Sequence, residues 1–372
     1  MHVPFIDLKP LINRIGPDVL EDWKTALENA EFVGGPAVAR LEARLAERLQ
    51  VTNFVACANG TDALIIGLQA MGIKAGMRVA VPNMTFWAPY EAIVQLGAEP
   101  VLVDIDPDDL QMSFDEFRSA FDKFRFQGAI LVHLFGWASA RLREFRRFCE
   151  ERDIKLLEDG AQSFGVRSEG EPVYAGAKVS TISFYPAKVL GAAGDAGGLM
   201  TSNAKIAELV RSLCNHGRAG HYTYDYVGWN SRMSGLNARY LNRALDHIDE
   251  FIASRLEAER FYREALTEQK RHLRVFSAPG GLEGNGYLNV VKSLKKTGDE
   301  LVHSLKDVGI GTARTYPQTL DQQPPAKNAL RTSDLRHSRD LARNVINLPL
   351  YAGITIEQCD ASVKALVKAC RG

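Results

Sequence analysis

The stretch FVACANGTDALIIGLQAM, residues 54–71, decides the fold. Its apolar opening, 54–58, reads as a strand, Asn59-Gly60 as a turn, and TDALIIGLQAM as a helix beginning at Thr61 or Asp62. The same unit recurs downstream. RVAV (78–81) precedes a segment running through Ala92 to Leu96, and PVLV (100–103) precedes SFDEFRSAFDKF, whose Ser113 and Glu116 predict a capping box. AILVHLF (129–135) precedes LREFRRFCEER, and KLLE (155–158) closes the series. Short apolar runs separated by helices are the pattern of strands buried on both faces of a parallel sheet. With right-handed crossovers they build an α/β domain of three layers around a mostly parallel central sheet.

Working outward, two helices precede this core, the second opening at Pro36. TISFY (181–185) and GGLMTS (197–202) predict further strands. From Gly235 to Gln269 neither Pro nor a further Gly interrupts the pattern, which predicts one long amphipathic helix bridging two domains. The expected division is a large domain over 1–250 and a smaller α+β domain over 251–372. The latter would contain the strand YLNVV (287–291), helices near 297–307 and 336–344, and a last helix opened by a Thr355/Gln358 box.

The 372 residues carry 45 Lys+Arg against 45 Asp+Glu, which removes the basic footprint of a nucleic-acid binder. A hydrophobic share of 46% and a charged share of 24% are those of an ordinary globular chain rather than a disordered or fibrous one. Five scattered cysteines form no CxxC pair and no zinc spacing, so they read as reduced thiols of a cytoplasmic protein. The start MHVPFIDLKP lacks the apolar run of a signal peptide, and no apolar stretch reaches the roughly 20 residues that span a bilayer.

In open parallel sheets ligands bind beyond the carboxyl ends of the strands, so the residues just after each strand carry the chemistry. Gly60 allows close backbone approach and Thr61 offers a hydroxyl beside a helix start whose N–H groups suit a phosphate, although in isolation a plain helix cap is the better explanation. Phe86 and Trp87 at the next junction could stack on a planar ligand or simply fill the core. In KLLEDGAQSFG (155–165), Asp159 puts a carboxylate at the ligand edge, where a cation or several donors must meet it, with Gln162 one helical turn further on. A helix cap is the alternative for Asp159. In TISFYPAKVLGAAGDAGG (181–198), Lys188 stands among Val, Leu, Ala and Gly, a setting that favours an imine-forming amine, with Ser183 offering a hydroxyl. A lysine on a mobile loop would look similar.

The order NGTDAL, EDGAQSFG, SFYPAK…GDAGG and GWNSRM, framed by FIDLKP and NLPLYAGIT, resembles the DegT/StrS-type sugar aminotransferases across nearly the whole chain. These are pyridoxal 5′-phosphate (PLP) enzymes of the aspartate-aminotransferase fold, fold type I. The resemblance implies that Lys188 carries PLP as a Schiff base and shuttles protons, and that Asp159 pairs with the pyridinium nitrogen. It further implies that Phe86 stacks on the ring, that Gln162 lies near the ring hydroxyl, and that Gly60, Thr61 and Ser183 hold the phosphate. Asn230 matches an asparagine that reaches the phosphate from a neighbouring subunit, which implies a homodimer with shared active sites. Arg232 and Tyr316 are candidates for substrate, and His216 belongs to a loop of similar type.

The implied reaction moves an amino group from L-glutamate, leaving 2-oxoglutarate, to a keto-sugar, most naturally nucleotide-linked, for surface polysaccharide or lipopolysaccharide. A keto-sugar or keto acid sugar without a nucleotide is the alternative, and a non-catalytic regulator on the same scaffold is the alternative of another class. Lys188 argues against a dehydratase of this fold, in which His replaces the lysine, and the first strand lacks the GxGxxG of a dinucleotide site. Two positions depart from the family pattern. Thr315 stands where many relatives have His before Tyr-Pro, and Ser234 stands where Asp is common. The first puts the sugar's identity in question, and Arg314 beside it is a possible partner for an acidic sugar.

Overall fold

The computed structural model describes residues 1–371. The N-terminal helices are α1 (Lys9–Glu28) and α2 (Pro36–Arg48), the latter starting at the expected proline. The repeated units follow as β1 (Asn53–Cys57), α3 (Gly60–Ala70), β2 (Arg78–Pro82), α4 (Ala88–Gln95), β3 (Glu99–Val103), α5 (Phe114–Phe124), β4 (Gly128–Val132), α6 (Leu142–Glu151) and β5 (Lys155–Asp159). Then come β6 (Val179–Ser183), β7 (Gly197–Thr201), α7 (Ala204–Cys214), α8 (Gly235–Asp246) and α9 (Ile248–Ala265). The remainder holds β8 (Leu273–Phe276), β9 (Asn289–Ser293), α10 (Gly298–Lys306), β10 (Leu330–Arg331), α11 (Arg336–Asn344), β11 (Val345–Leu348) and α12 (Ile356–Arg371).

The large sheet has eight strands in the order β1-β7-β6-β5-β4-β2-β3-β10. Only β7 runs antiparallel to its neighbours, β1 and β6. Alternation along each strand splits the core between two faces. Phe54, Ala56, Val101, Ala129 and Leu131 pack beneath α1, α2, α5, α6 and α8. Val55, Cys57, Val79, Leu102 and Ile130 pack beneath α3, α4 and α7. This three-layer α/β arrangement is the fold class that the alternating runs predict. A smaller antiparallel sheet, β8-β9-β11, carries α10 and α12 and has its own core around Tyr262, Val291, Leu301 and Leu366.

Several local expectations are corrected. The helix expected over 235–269 is two helices and a terminal turn. His247 ends α8 by bonding its N–H back to Ala244 O at 3.2 Å, and it precedes α9. Leu245, Ile248 and Phe251, on the two sides of this break, all enter the core of the large sheet. The box at Ser113 is half made. Ser113 Oγ accepts from Glu116 N at 3.4 Å, while the Glu116 carboxylate takes the Thr332 hydroxyl at 3.1 Å instead. The Thr355/Gln358 box is complete, at 2.9 and 3.2 Å.

Contacts run across residue 250 in both directions. β10 adds to the large sheet in parallel with β3, and Val3 at the N-terminus bridges to Ile310. Asp321, nearly fully buried, accepts from Asn83 at the end of β2, from Thr319 and from Arg339. Burial alone would raise its carboxyl, but these donors outweigh it and hold it below the usual range. Among the described residues no helix is long and apolar enough to cross a membrane, and no cluster of His, Cys, Asp and Glu could hold a metal.

Candidate active site

The carboxyl ends of β1, β5 and β6 face one rim, and the first turn of α3 closes onto it. Asn59, rather than Thr61 or Asp62, caps this helix, its Oδ1 accepting from Asp62 N at 2.8 Å, so α3 begins one residue early, at Gly60. Space is tight here. A Cβ on Gly60 would stand 2.7 Å from Ser183 Cβ, and one on Gly197 would stand 2.5 Å from the Asn59 carbonyl carbon. Glycine at both places lets the helix start, the end of β6 and the beginning of β7 approach each other. This brings the Ser183 side chain beside the first turn of α3, whose N–H groups have the chemistry to meet an anion.

Lys188 sits half-buried in the turn after β6, its N–H bonded to Tyr185 O at 2.8 Å. Its Nζ lies 3.3 Å from the Tyr287 hydroxyl and 5.0 Å from the centre of that ring. Asp159 is the last residue of β5 and is 4% exposed. Among the described residues its carboxylate accepts one hydrogen bond, from Ala161 N at 2.9 Å. Burial pushes this carboxyl above the usual range, more strongly than the Ala161 N–H and the positive charge of Lys188 pull it down.

Gln162 lies in a turn rather than on the helix expected there, because Ser163 N bonds back to Gly160 O at 2.9 Å. Its Oε1 accepts from Phe135 N at 2.6 Å, and its Nε2 donates to the Tyr316 hydroxyl at 3.0 Å. The Phe86 ring, more than half exposed, lies 6.0 Å from that of Tyr316. Burial raises the Tyr316 phenol well above its usual value, with the nearby Tyr287 and Asp159 adding to the effect. Gly60, Thr61, Ser183, Lys188, Asp159, Gln162, Phe86 and Tyr316 thus gather at one sheet end.

Asn230 and Arg232 do not join them within the protomer. Both are exposed, and Arg232 Nη2 donates to Asn230 Oδ1 at 2.7 Å, while Ser231 between them is fully buried and binds Ala58 N at 3.2 Å. His216 is exposed as well, in a left-handed conformation with φ of 65° before Gly217. Arg314 is not free for an acidic sugar. Its guanidinium is taken up by Asp299 and by the carbonyls of Ala342, Arg343 and Pro317, with the side chain 11% exposed.

Tyr287 is the residue that sequence reading missed. It hides at the start of an ordinary strand pattern, YLNVV, and the signal that marks it is the preceding Gly284-Asn285-Gly286. Such a turn lets a backbone come close to another one.

The family model for the DegT/DnrJ/EryC1/StrS aminotransferase family matches residues 13–367. The chain is 30% identical over 362 residues to the pleiotropic regulatory protein of Geobacillus stearothermophilus, covering 96% of each. It is 31% identical over 356 residues to the UDP-N-acetyl-3-dehydro-alpha-D-glucosamine 3-aminotransferase of Acidithiobacillus ferrooxidans, covering 96% of this chain and 95% of that one. A crystal structure of a DegT DnrJ EryC1 StrS aminotransferase from Brucella abortus superposes with a TM-score of 0.94 at 30% identity, over all of both chains.

Proposed function

The chain belongs to the DegT/DnrJ/EryC1/StrS aminotransferase family, and on that premise we propose that it moves an amino group from L-glutamate to the carbonyl carbon of a keto-sugar, a nucleotide-linked one in the first instance. Enzymes of this family work with pyridoxal 5′-phosphate. The residues of this site fit that group: the first-turn N–H groups of α3, an amine at Lys188, and a buried carboxylate at Asp159 with a single donor. Asp159 is the observation that carries the reading. A buried carboxylate held only by Ala161 N–H is costly, and a pyridinium N–H against its second oxygen would relieve that cost.

When bound, the cofactor supplies a ring that takes up the electron pair left on carbon as a C–H bond beside an amine breaks. Lys188 would hold it through Nζ, and Gly60, Thr61 and Ser183 would hold its phosphate. Phe86 would cover one ring face, and Gln162 would lie near the ring hydroxyl. As a free amine, Lys188 takes the proton from the substrate carbon and returns it, which is positioned general base and acid catalysis. Tyr316, reaching Gln162 from beyond residue 250, meets the sugar at the mouth of the site. The separate small sheet β8-β9-β11 with its own core supports a platform over 1–250 and a lid-side unit over 251–372, although β10 and Tyr316 reach back to the platform.

The active site in this reading is completed by a second copy of the chain. The segment 222–227 exposes Tyr222, Tyr224, Tyr226 and Val227, the last 90% exposed, close in sequence to Asn230 and Arg232. Such a patch supports a homodimer in which Asn230 meets the partner's phosphate and Arg232 a substrate carboxylate. Five free, buried cysteines support a reducing cytoplasm as the place of work.

The test is to supply L-glutamate with UDP-, dTDP- and GDP-linked keto-sugars, and with keto-sugars lacking a nucleotide, and to measure 2-oxoglutarate and aminated sugar. Formation of both, abolished in K188A, is the expected result. Cofactor binding without 2-oxoglutarate from any of them would leave a regulator rather than an enzyme. Mixing K188A with N230A should restore part of the activity if sites are shared, and none if each protomer is complete.

A further inference from the structure

We propose that Tyr287 is a catalytic residue that aims the Lys188 amine: its hydroxyl receives that amine whenever Lys188 is free to carry a proton. The inference rests on the reading of Lys188 given above and adds a residue to it. The amine lies 3.3 Å from Tyr287 Oη, so an N–H of Lys188 donates to the phenol oxygen, and the cation also lies 5.0 Å from the ring centre. Lysine has four rotatable bonds and no preferred bearing of its own, so an acceptor at its tip decides where the proton is presented.

The fold goes to some length to deliver Tyr287 there. Asn285, fully buried, donates through Nδ2 to Gln162 O and Phe164 O, each at 2.9 Å, and its Oδ1 accepts from Tyr287 N at 2.9 Å. Its own N–H bonds Gly136 O at 3.1 Å, and Leu288 N bonds Phe135 O at 3.3 Å. This segment is therefore stitched to the loops after β4 and β5, the same loops that carry Gln162. Gly136 has φ of 106°, and a Cβ there would stand 2.4 Å from Asn285 Oδ1, so a side chain would push the clamp off.

Behind the turn lies Arg255 of α9, buried, with no carboxylate partner and an unbonded Nε among the described residues. Its Nη1 donates to Gly286 O at 3.4 Å and Leu350 O at 3.2 Å. Burial pulls its pKa down to about 10, with Tyr287 acting in the opposite sense. A guanidinium is expensive to bury for the sake of two carbonyls alone. Its position holds the backbone next to Tyr287, which gives the phenol a fixed bearing toward Lys188.

The step itself needs no further reactant. Lys188 accepts a proton from the substrate carbon, keeps it while hydrogen-bonded to Tyr287 Oη, and releases it to the next carbon. Tyr287 neither gains nor loses a proton over the cycle.

Tyr287→Phe removes one oxygen and keeps the ring, whereas Tyr287→Leu removes both. Two measurements separate aiming from folding. The first follows apoprotein taking up pyridoxal phosphate by stopped-flow absorbance, which resolves docking from the later bonding step. The second follows exchange of the glutamate α-proton in deuterated water by the holoenzyme. In Y287F we expect unchanged docking, a bonding step slower by about tenfold, and kcat and α-proton exchange reduced by a similar factor, with KM for glutamate unchanged. Y287L should lose more in each rate. Thermal melts of Y287F apoprotein should match the parent. Parent-like uptake and exchange in Y287F beside an inactive K188A would overturn the role of Tyr287 alone. Residual turnover in K188A would overturn the reading of Lys188 on which it rests.

Discussion

Glu158 and Asp159 are consecutive carboxylates at the end of one strand, 1% and 4% exposed, and their surroundings oppose each other. Glu158 points to the α6 side. Arg146 grips it with Nε at 2.7 Å and Nη2 at 2.8 Å, and His133 Nε2 meets it at 3.1 Å. Burial would raise its carboxyl, but the hydrogen bonds of His133 and Arg146 outweigh this and hold it below the usual range. Asp159 points to the α3 side, meets one backbone N–H, and is raised. The first carboxylate is a finished structural contact; the second has one backbone donor, and the proposed function gives it a cation. Strand alternation puts the two on opposite faces, so a fully satisfied charge and an unsatisfied one can be neighbours in sequence.

The sharpest way to break this comparison is to remove the charge of Asp159. D159N should lower kcat by on the order of 10²- to 10³-fold, the loss typical of one electrostatic partner of a transition state. Its apoprotein should nonetheless melt higher than the parent at neutral pH. The sign follows from linkage: a carboxyl raised in the folded state binds its proton more tightly there. It therefore detracts from stability as pH rises through the ordinary value of 3.8 and above. In strong acid, where both states are protonated, the advantage of D159N should vanish. Calorimetry of the two apoproteins against pH checks this.

Glu158→Gln should do the reverse, costing about 3 kcal/mol of stability by leaving Arg146 with an uncompensated buried contact. Activity per folded molecule should stay near the parent's. A large kcat loss with unchanged stability would mean that both carboxylates serve the site. Gly60→Ala comes next in size. Its Cβ must displace Ser183 or the start of α3, so cofactor affinity should fall roughly tenfold. Titration of cofactor into the apoprotein reads this directly.

The smallest effect is the acid limb of stability. The depressed carboxyls of Glu158 and Asp321 contribute stability that is fully present above their ordinary values. It is lost as pH falls through the lower folded values. A melting temperature falling more steeply with acid in the parent than in E158Q is the expected outcome.

Much of the fold was legible in the chain because a strand buried on both faces leaves an uninterrupted apolar run, and Pro36 and Thr355 mark helix starts locally. The one long helix expected over 235–269 was not, since no Pro or Gly marks the break at His247, where the backbone N–H turns back to Ala244 O. The Ser113 box failed for a different reason: Glu116 found Thr332, a partner more than two hundred residues away. Local signals predict what neighbours in sequence can do for each other, and tertiary partners compete with them.

The site divides along the same line. The sequence by itself determined the platform, because Asp159 and Ser183 end their strands and Gly60 and Lys188 stand in the turns beyond theirs, and a strand end is where a parallel sheet presents its ligand edge. Only the tertiary structure decided what faces that platform. Tyr287 reaches Lys188 from 99 residues away and Tyr316 reaches Gln162 from 154. No periodicity records such meetings, because they depend on how two separately patterned segments are clamped together by buried groups such as Asn285 and Arg255.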